Sequence, residues 1–294
     1  MPDDPGDEDQ KVCMDKSTNM PAGFVLATPG AATVSDADLD LALEVACRAC
    51  DRAREEILPR FRNVAVETKG DGSPVTEADR EAERAIRAVI AEAFPDDAIL
   101  GEEFGASEGT GEGPRREWII DPIDGTIAFS RGIPLFTTLV ALVIDGEPVV
   151  GVIDLPATGD RIAGARGRGI TRRSAEGQTA IRVSEGPALE DALVCHGDLF
   201  CFDLSGLRPV YDALAGAVPK LRGYTDAFGH MLVLSGAADA MIDCDLNPWD
   251  AAVTRVLAAE AGGVCWVRER EEGRKLDLLF GAAPTVAAIG RLVR

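Results

Sequence analysis

The stretch Trp118-Ile-Ile-Asp-Pro-Ile-Asp-Gly-Thr126 decides how the rest of the chain is read. Its apolar run delivers Asp121 to the end of a buried strand, and Pro122, lacking an N–H, halts the ladder. The turn then places Asp124 beside Asp121, with the backbone N–H groups of Gly125 and Thr126 next to both. Two carboxylates on one tight turn can face one point, and a cation between them relieves their repulsion. The adjacent N–H groups form an anion-binding end suited to phosphate. Taken alone, the turn fits equally well a solvated β-turn that uses Asp, Pro and Gly for ordinary turn reasons.

Upstream of this stretch the apolar period is helical. Ser35 is placed to cap a helix, with Asp38 three residues on, and Leu39, Leu43, Ala46, Cys50 and Ile57 recur on one face. Thr76 to Asp79 repeats the pattern ahead of Ala82, Ile86, Val89 and Ile90, so two amphipathic helices precede Pro95. Downstream the period is that of strands: Thr137 to Ile144 and Pro148 to Leu155 form a hairpin turning at Asp145-Gly146. The Gly/Arg-rich Gly164 to Arg173 reads as strand bends and turns, because its glycines do not open a helix. After Pro187, strands (Leu193–His196, Ala240–Cys244, Val264–Val267, Leu278–Phe280) alternate with helices (Ala227–Ala238, Asp250–Ala261, Thr285–Val293). The expected class is α/β, with an α+β N-terminal half. Residues 1–34 are expected to be a disordered acidic tail, 35–187 an N-terminal α+β subdomain and 188–294 a C-terminal α/β subdomain.

The 294 residues are 46% hydrophobic and 27% charged, which excludes a chain disordered throughout. No apolar run reaches the roughly 18 residues of a membrane span, and no signal peptide is evident at the N-terminus. A net charge of −20 argues against nucleic-acid binding. If the substrate is an anion such as a phosphate, the same charge repels it unless a bound divalent cation inverts the local field. Seven cysteines without scaffold spacing point to reduced thiols and a cytoplasmic location. Cys47 and Cys50 form a CxxC but sit mid-helix, as packing residues. With only His196 and His230 present, a Ser-His-Asp hydrolase has little to draw on.

Three further motifs accompany the first. Glu102, in Gly101-Glu-Glu103, follows the apolar Ala98-Ile99-Leu100; Pro74-Val-Thr-Glu-Ala-Asp79 starts a helix; Asn247-Pro-Trp-Asp250 starts another. Singly they read as a surface glutamate, a capping carboxylate at Asp79 and an N-cap at Asp250. Together and in this order, from about Ser35 to Arg294, they resemble the inositol monophosphatase superfamily of metal-dependent phosphomonoesterases. The resemblance implies a layered αβαβα sandwich, usually a homodimer, with two or three Mg²⁺ ions. Glu102, Asp121 and the Ile123 carbonyl would hold one ion, and Asp121, Asp124 and Asp250 the second. Asp79, Thr126 and Glu102 would position and activate the attacking water. Gly125 and Thr126 would hold phosphate oxygens.

Gly125-Thr-Ile-Ala-Phe-Ser-Arg-Gly-Ile-Pro134, followed by Thr137-Thr-Leu139, is similar to the histidinol-phosphate phosphatase branch, as is Gly223-Tyr-Thr-Asp-Ala-Phe-Gly-His230. Two departures stand out: Ile127, where that branch often has Arg or Lys, and His230, where a second aromatic is commoner. The implied activity is hydrolysis of L-histidinol phosphate in histidine biosynthesis. Inositol 1-phosphate, another sugar phosphate or a phosphonucleotide are alternative substrates, and a non-catalytic regulatory member of the same fold is the alternative class. Asp226 and Asp243 would contact the substrate; otherwise Asp226 is a helix cap and Asp243 a solvated strand-end carboxylate.

Overall fold

The computed structural model describes residues 20–28, 34–63, 66–68 and 74–292. Within them the strand that carries Asp121 becomes an interior strand of an eight-stranded sheet. The spatial order is Gly177–Ile181, Ile170–Ser174, Asp160–Ala165, Glu147–Leu155, Thr137–Ile144, Arg116–Asp124, Ala98–Gly101, Gly105–Ser107. The hairpin turns at Asp145 and Gly146, both with positive φ (51° and 84°), as an Asp-Gly turn between right-twisted strands requires. Strand Thr137–Ile144 is buried at every position because both faces of the sheet are covered. Val140, Leu142 and Ile144 pack with the helices Asp36–Ile57 and Glu77–Ala93, while Leu139, Ala141 and Val143 pack with the helix Pro248–Glu260.

A second sheet has the order Val25–Leu26, Val264–Arg270, Lys275–Gly281, Ala240–Leu246, Leu193–His196, Lys220–Arg222. Its Met241, Leu278 and Phe280 join Val253, Val256 and Leu257 of the central helix. Its Ile242 and Leu279 face Leu214, Val286 and Ile289 on the opposite side. The layers therefore alternate helix, sheet, helix, sheet, helix, as expected. The helix at Asp36–Ile57 starts where Ser35 caps it, Oγ accepting the Asp38 N–H at 3.2 Å. Cys50 is buried and Cys47 half-buried in that helix; burial raises both thiols, and the Cys47 carbonyl accepts from Arg161 at 3.0 Å. No helix among the described residues is long and apolar enough to cross a membrane.

Two expectations are corrected. The ladder does not stop at Pro122: Asp121 pairs with Leu139 and Asp124 with Thr137, across a bulge. The Thr138 hydroxyl donates to the Pro122 carbonyl at 2.8 Å, which satisfies an acceptor that the bulge would otherwise strand. The tail reading also fails for residues 20–28. Val25 and Leu26 pair with Val267 and Trp266 as an edge strand, and Phe24 is buried against the second sheet beneath the Arg268 guanidinium, 5.7 Å away. Residues 1–19 and 29–33 of the expected tail lie outside the described residues.

Phe24 anchors a strand of only two residues, so Phe24→Ala should lower stability by about 3 kcal/mol. Thermal unfolding reads this directly, and an unchanged melting temperature would contradict the docking of this segment.

Candidate active site

The bulge at Pro122 aims two carboxylates in one direction. The Ile123 N–H donates to Asp121 Oδ1 at 3.0 Å. Asp124 Oδ2 accepts the Thr137 hydroxyl at 2.7 Å and the Ala227 N–H at 2.8 Å. Ala227 lies in the first turn of the helix Asp226–Leu234, so a carboxylate from the eight-stranded sheet caps a helix of the C-terminal half. That role is therefore not left to Asp226, whose carboxylate accepts from the Thr225 hydroxyl at 3.0 Å. Asp250 is the third residue of its helix rather than the N-cap; the Asn247 N–H donates to its Oδ2 at 2.8 Å in a capping box. Asp121, Asp124 and Asp250 each offer an oxygen within 4.8 Å of the others.

Glu102 joins them from the turn after Ala98–Gly101. That turn is held from below by Glu83, a fully buried carboxylate that accepts the Glu103 N–H at 2.7 Å and the Phe104 N–H at 3.2 Å while paired with Arg87. A Cβ at residue 101 would lie 2.2 Å from Glu83 Oε1, so the motif opens with glycine to let this carboxylate approach. Asp79 forms the capping box of its helix: Thr76 donates to Oδ2 through its N–H at 2.8 Å and its hydroxyl at 2.6 Å. Its other oxygen lies 3.5 Å from the Thr126 hydroxyl, which donates to the Ile123 carbonyl at 3.0 Å. Asp79 thus stands behind Thr126 and reaches the cavity through it.

The cavity, about 190 Å³, is lined by Glu102, Asp121, Asp124, Asp198, Asp226, Asp243, Asp245 and Asp250, and by no lysine or arginine. Burial and the Glu102 charge hold Asp121 well above the usual carboxylate range; burial and the Asp226 charge do the same to Asp124. Burial, then the Glu102 and Asp243 charges, push Asp250 up to about 7 against the opposing Asn247 hydrogen bond. Asp79 is raised by burial and by Glu102. Buried, mutually repelling oxygen donors of this kind fit a hard divalent cation, which would relieve both the desolvation and the repulsion.

Asp226 and Asp243 line the same cavity. Asp226 is pushed up to about 6 by burial and by the Asp243 charge. Asp243 is 4% exposed, not the solvated strand-end group that the sequence allowed. A wider cavity of about 390 Å³ shares Gly125, Thr126 and Asp226 and continues over Ile127, Ile133, Tyr224 and Phe228. The sequence reading missed Glu83 and Thr137 and left His230 without a role. An acidic side chain four residues after Asp79, on the apolar face of the helix, was the available signal for Glu83.

A family model described as the inositol monophosphatase family matches residues 38–287. The chain belongs to the inositol monophosphatase family. It is 40% identical over 231 residues to a histidinol-phosphatase of Chlorobaculum parvum, covering 78% of this chain and 85% of that protein. It is 40% identical over 235 residues to a histidinol-phosphatase of Mycobacterium tuberculosis, covering 78% and 87%. The crystal structure of the extragenic suppressor protein suhB from Bartonella henselae superposes with a TM-score of 0.77 at 27% identity, covering 86% of this chain and 98% of that one. This member of the inositol monophosphatase family is a phosphatase acting on small phosphorylated substrates, and its α/β fold is that of the family.

The raised Asp250 gives a pH-dependent test of the cluster. Without an ion, the folded chain binds this proton more tightly than the unfolded chain, so stability falls as pH rises from about 4 through about 7. Mg²⁺ should restore it, by about 2.7 kcal/mol at a hundredfold excess over Kd, with a larger melting-temperature shift at pH 8 than at pH 5.5. A shift that is absent, or equal at both pH values, would count against a cation site here.

Proposed function

We propose that this phosphatase hydrolyses L-histidinol phosphate to L-histidinol and phosphate in a Mg²⁺-dependent reaction belonging to histidine biosynthesis. The observation that carries the reading is the pair Asp226 and Asp243, which line the substrate cavity with no lysine or arginine paired to either among the described residues. A substrate ammonium would supply the missing positive charge, and an inositol ring would not. The two 40%-identical relatives that bear the name histidinol-phosphatase support the same choice.

Glu102, Asp121 and the Ile123 carbonyl would hold one Mg²⁺, and Asp121, Asp124 and Asp250 a second; two or three ions are expected in all. Bound there, Mg²⁺ supplies an acidified water at neutral pH and neutralises charge on the phosphoryl and leaving oxygens. The protein's own part is positional and acid–base. Thr126 Oγ accepts a hydrogen from the attacking water, and its own proton turns toward Asp79 Oδ1, 3.5 Å away. Burial and the Glu102 charge make Asp79 a better proton acceptor than a solvated aspartate. Gly125 and Thr126, at the start of a five-residue helix without a side-chain cap, offer N–H groups to the phosphate oxygens. Retention of all four carboxylates argues for catalysis over a purely regulatory role. The reading includes a homodimer and a cytoplasmic location; the six cysteines among the described residues, all free thiols, support the latter.

Phosphate release from histidinol phosphate, inositol 1-phosphate, fructose 1,6-bisphosphate and 3′-phosphoadenosine 5′-phosphate tests the substrate; faster turnover of inositol 1-phosphate would sink the assignment. Asp121→Asn should lower kcat by about a thousandfold on every substrate, and near-parental turnover in a folded variant would refute the metal assignment. Asp226→Asn should cost about ten- to a hundredfold in kcat/KM on histidinol phosphate and far less on a neutral phosphomonoester. An equal loss on both would return Asp226 to a structural role.

A further inference from the structure

Asp243 is held by a chain of buried side chains that the chemistry above does not use. His230 Nε2 lies 3.0 Å from Asp243 Oδ2, and His230 Nδ1 lies 2.6 Å from Thr254 Oγ1. His230 is 1% exposed and Thr254 fully buried. An ionised Asp243 can only accept, so Nε2 carries the hydrogen; in the neutral ring Nδ1 then accepts from the Thr254 hydroxyl. This arrangement satisfies every polar atom in the chain with a neutral imidazole. The ring stands edge-on to Phe280, its centroid 4.9 Å away, which fixes its plane.

The other oxygen of Asp243 is placed with equal care. Oδ1 accepts the Cys244 N–H at 3.0 Å, and a Cβ at residue 197 would lie 1.9 Å from it, so only bare backbone at Gly197 leaves this oxygen its place. Three elements meet in the chain: Asp243 on the strand Ala240–Leu246, His230 on the helix Asp226–Leu234, and Thr254 on the helix Pro248–Glu260. The last of these helices also carries Asp250, one turn before Thr254. The imidazole therefore ties the carboxylate on the leaving-group side to the helix that carries a proposed metal ligand.

We propose that His230, backed by Thr254, is a positioning residue that aims Asp243 at hydrogen-bond donors on the leaving group. The proposal rests on the reading that Asp243 faces the leaving group, and it holds for an ammonium or a hydroxyl donor alike. His230→Phe keeps the packing on Phe280 and removes the donor. His230→Gln keeps a donor without the ring, and Thr254→Val removes only the hydroxyl. Each full-length, Mg²⁺-loaded variant is assayed on histidinol phosphate, inositol 1-phosphate and 4-nitrophenyl phosphate, whose leaving group carries no hydrogen-bond donor.

For the donor-bearing substrate that the parent turns over best, His230→Phe should raise KM by about tenfold with a much smaller change in kcat. Both constants for 4-nitrophenyl phosphate should stay within about twofold, and His230→Gln should return KM to within about threefold of the parent. Equal losses on all three substrates, no change on any, or no rescue by glutamine would overturn the proposal. Should His230→Phe fail to fold, Thr254→Val decides: a selective KM rise of about threefold supports the chain, and a uniform or absent effect refutes it. If the parent prefers inositol 1-phosphate, the ammonium reading falls while His230 is judged on the KM for that substrate.

Discussion

Mutual repulsion among buried carboxylates is the constraint around which this molecule is built. Asp121, Asp124 and Asp250 share a space of a few ångströms, in a cavity whose lining offers no lysine or arginine. Each is tolerated because backbone or side-chain donors hold it: the Ile123 N–H for Asp121, the Thr137 hydroxyl and Ala227 N–H for Asp124, the Asn247 N–H for Asp250. Charge-assisted bonds of this kind stabilise an ionised carboxylate by about 1.5–3 kcal/mol each, which offsets part of the repulsion and leaves the remainder for a cation. The same bonds do structural duty. The Asp124–Ala227 bond joins the two halves of the chain, so a break in it disturbs the cluster and the packing together.

Arg270 and Lys275 pair with Asp245 at the cavity wall, and other basic side chains are engaged farther from it. Arg161 and Arg54 both pair with the buried Asp154, Arg116 bridges Asp38 and Asp97, and Arg268 and Arg270 converge on the buried Asp277. These pairs pin helices and strands in place and leave the cavity with a strongly negative lining. A phosphorylated substrate meets that field unscreened unless a cation stands between them, which ties the family's metal dependence to the layout of charge in this chain.

Much of this was legible before any coordinates. Ser35, the Thr76–Asp79 box and Asp145-Gly146 are local signals whose geometry is decided within four residues, and all three formed where they were read. The α/β class followed from the change of apolar period around Trp118, and the layer order from the resemblance to the inositol monophosphatase superfamily. What escaped was long-range. A two-residue edge strand at Val25–Leu26 carries no period, and only its pairing with Val267 and Trp266 reveals it. Pro122 reads as a terminator because its missing N–H is visible in sequence, whereas the Thr138 hydroxyl that restores the carbonyl's partner comes from a neighbouring strand. Glu83 passes for an ordinary polar residue of a charged helix until the turn at Gly101 is folded onto it. Asp243 passes for a surface group until His230 and Thr254 are brought to it from two helices.

The short helix Asp226–Leu234 has a consequence for how such an enzyme changes over time. Asp226 and His230, proposed to meet or steer the leaving group, and the cavity-lining Tyr224 and Phe228 lie within seven consecutive residues. None of them is assigned to the cation cluster, whose members are drawn from distant parts of the chain. Mutational drift in that small window can redirect the enzyme to a new metabolite while the hydrolytic apparatus stays intact. One scaffold can thereby change its substrate through this turn-and-helix segment together with Asp243 on the neighbouring strand.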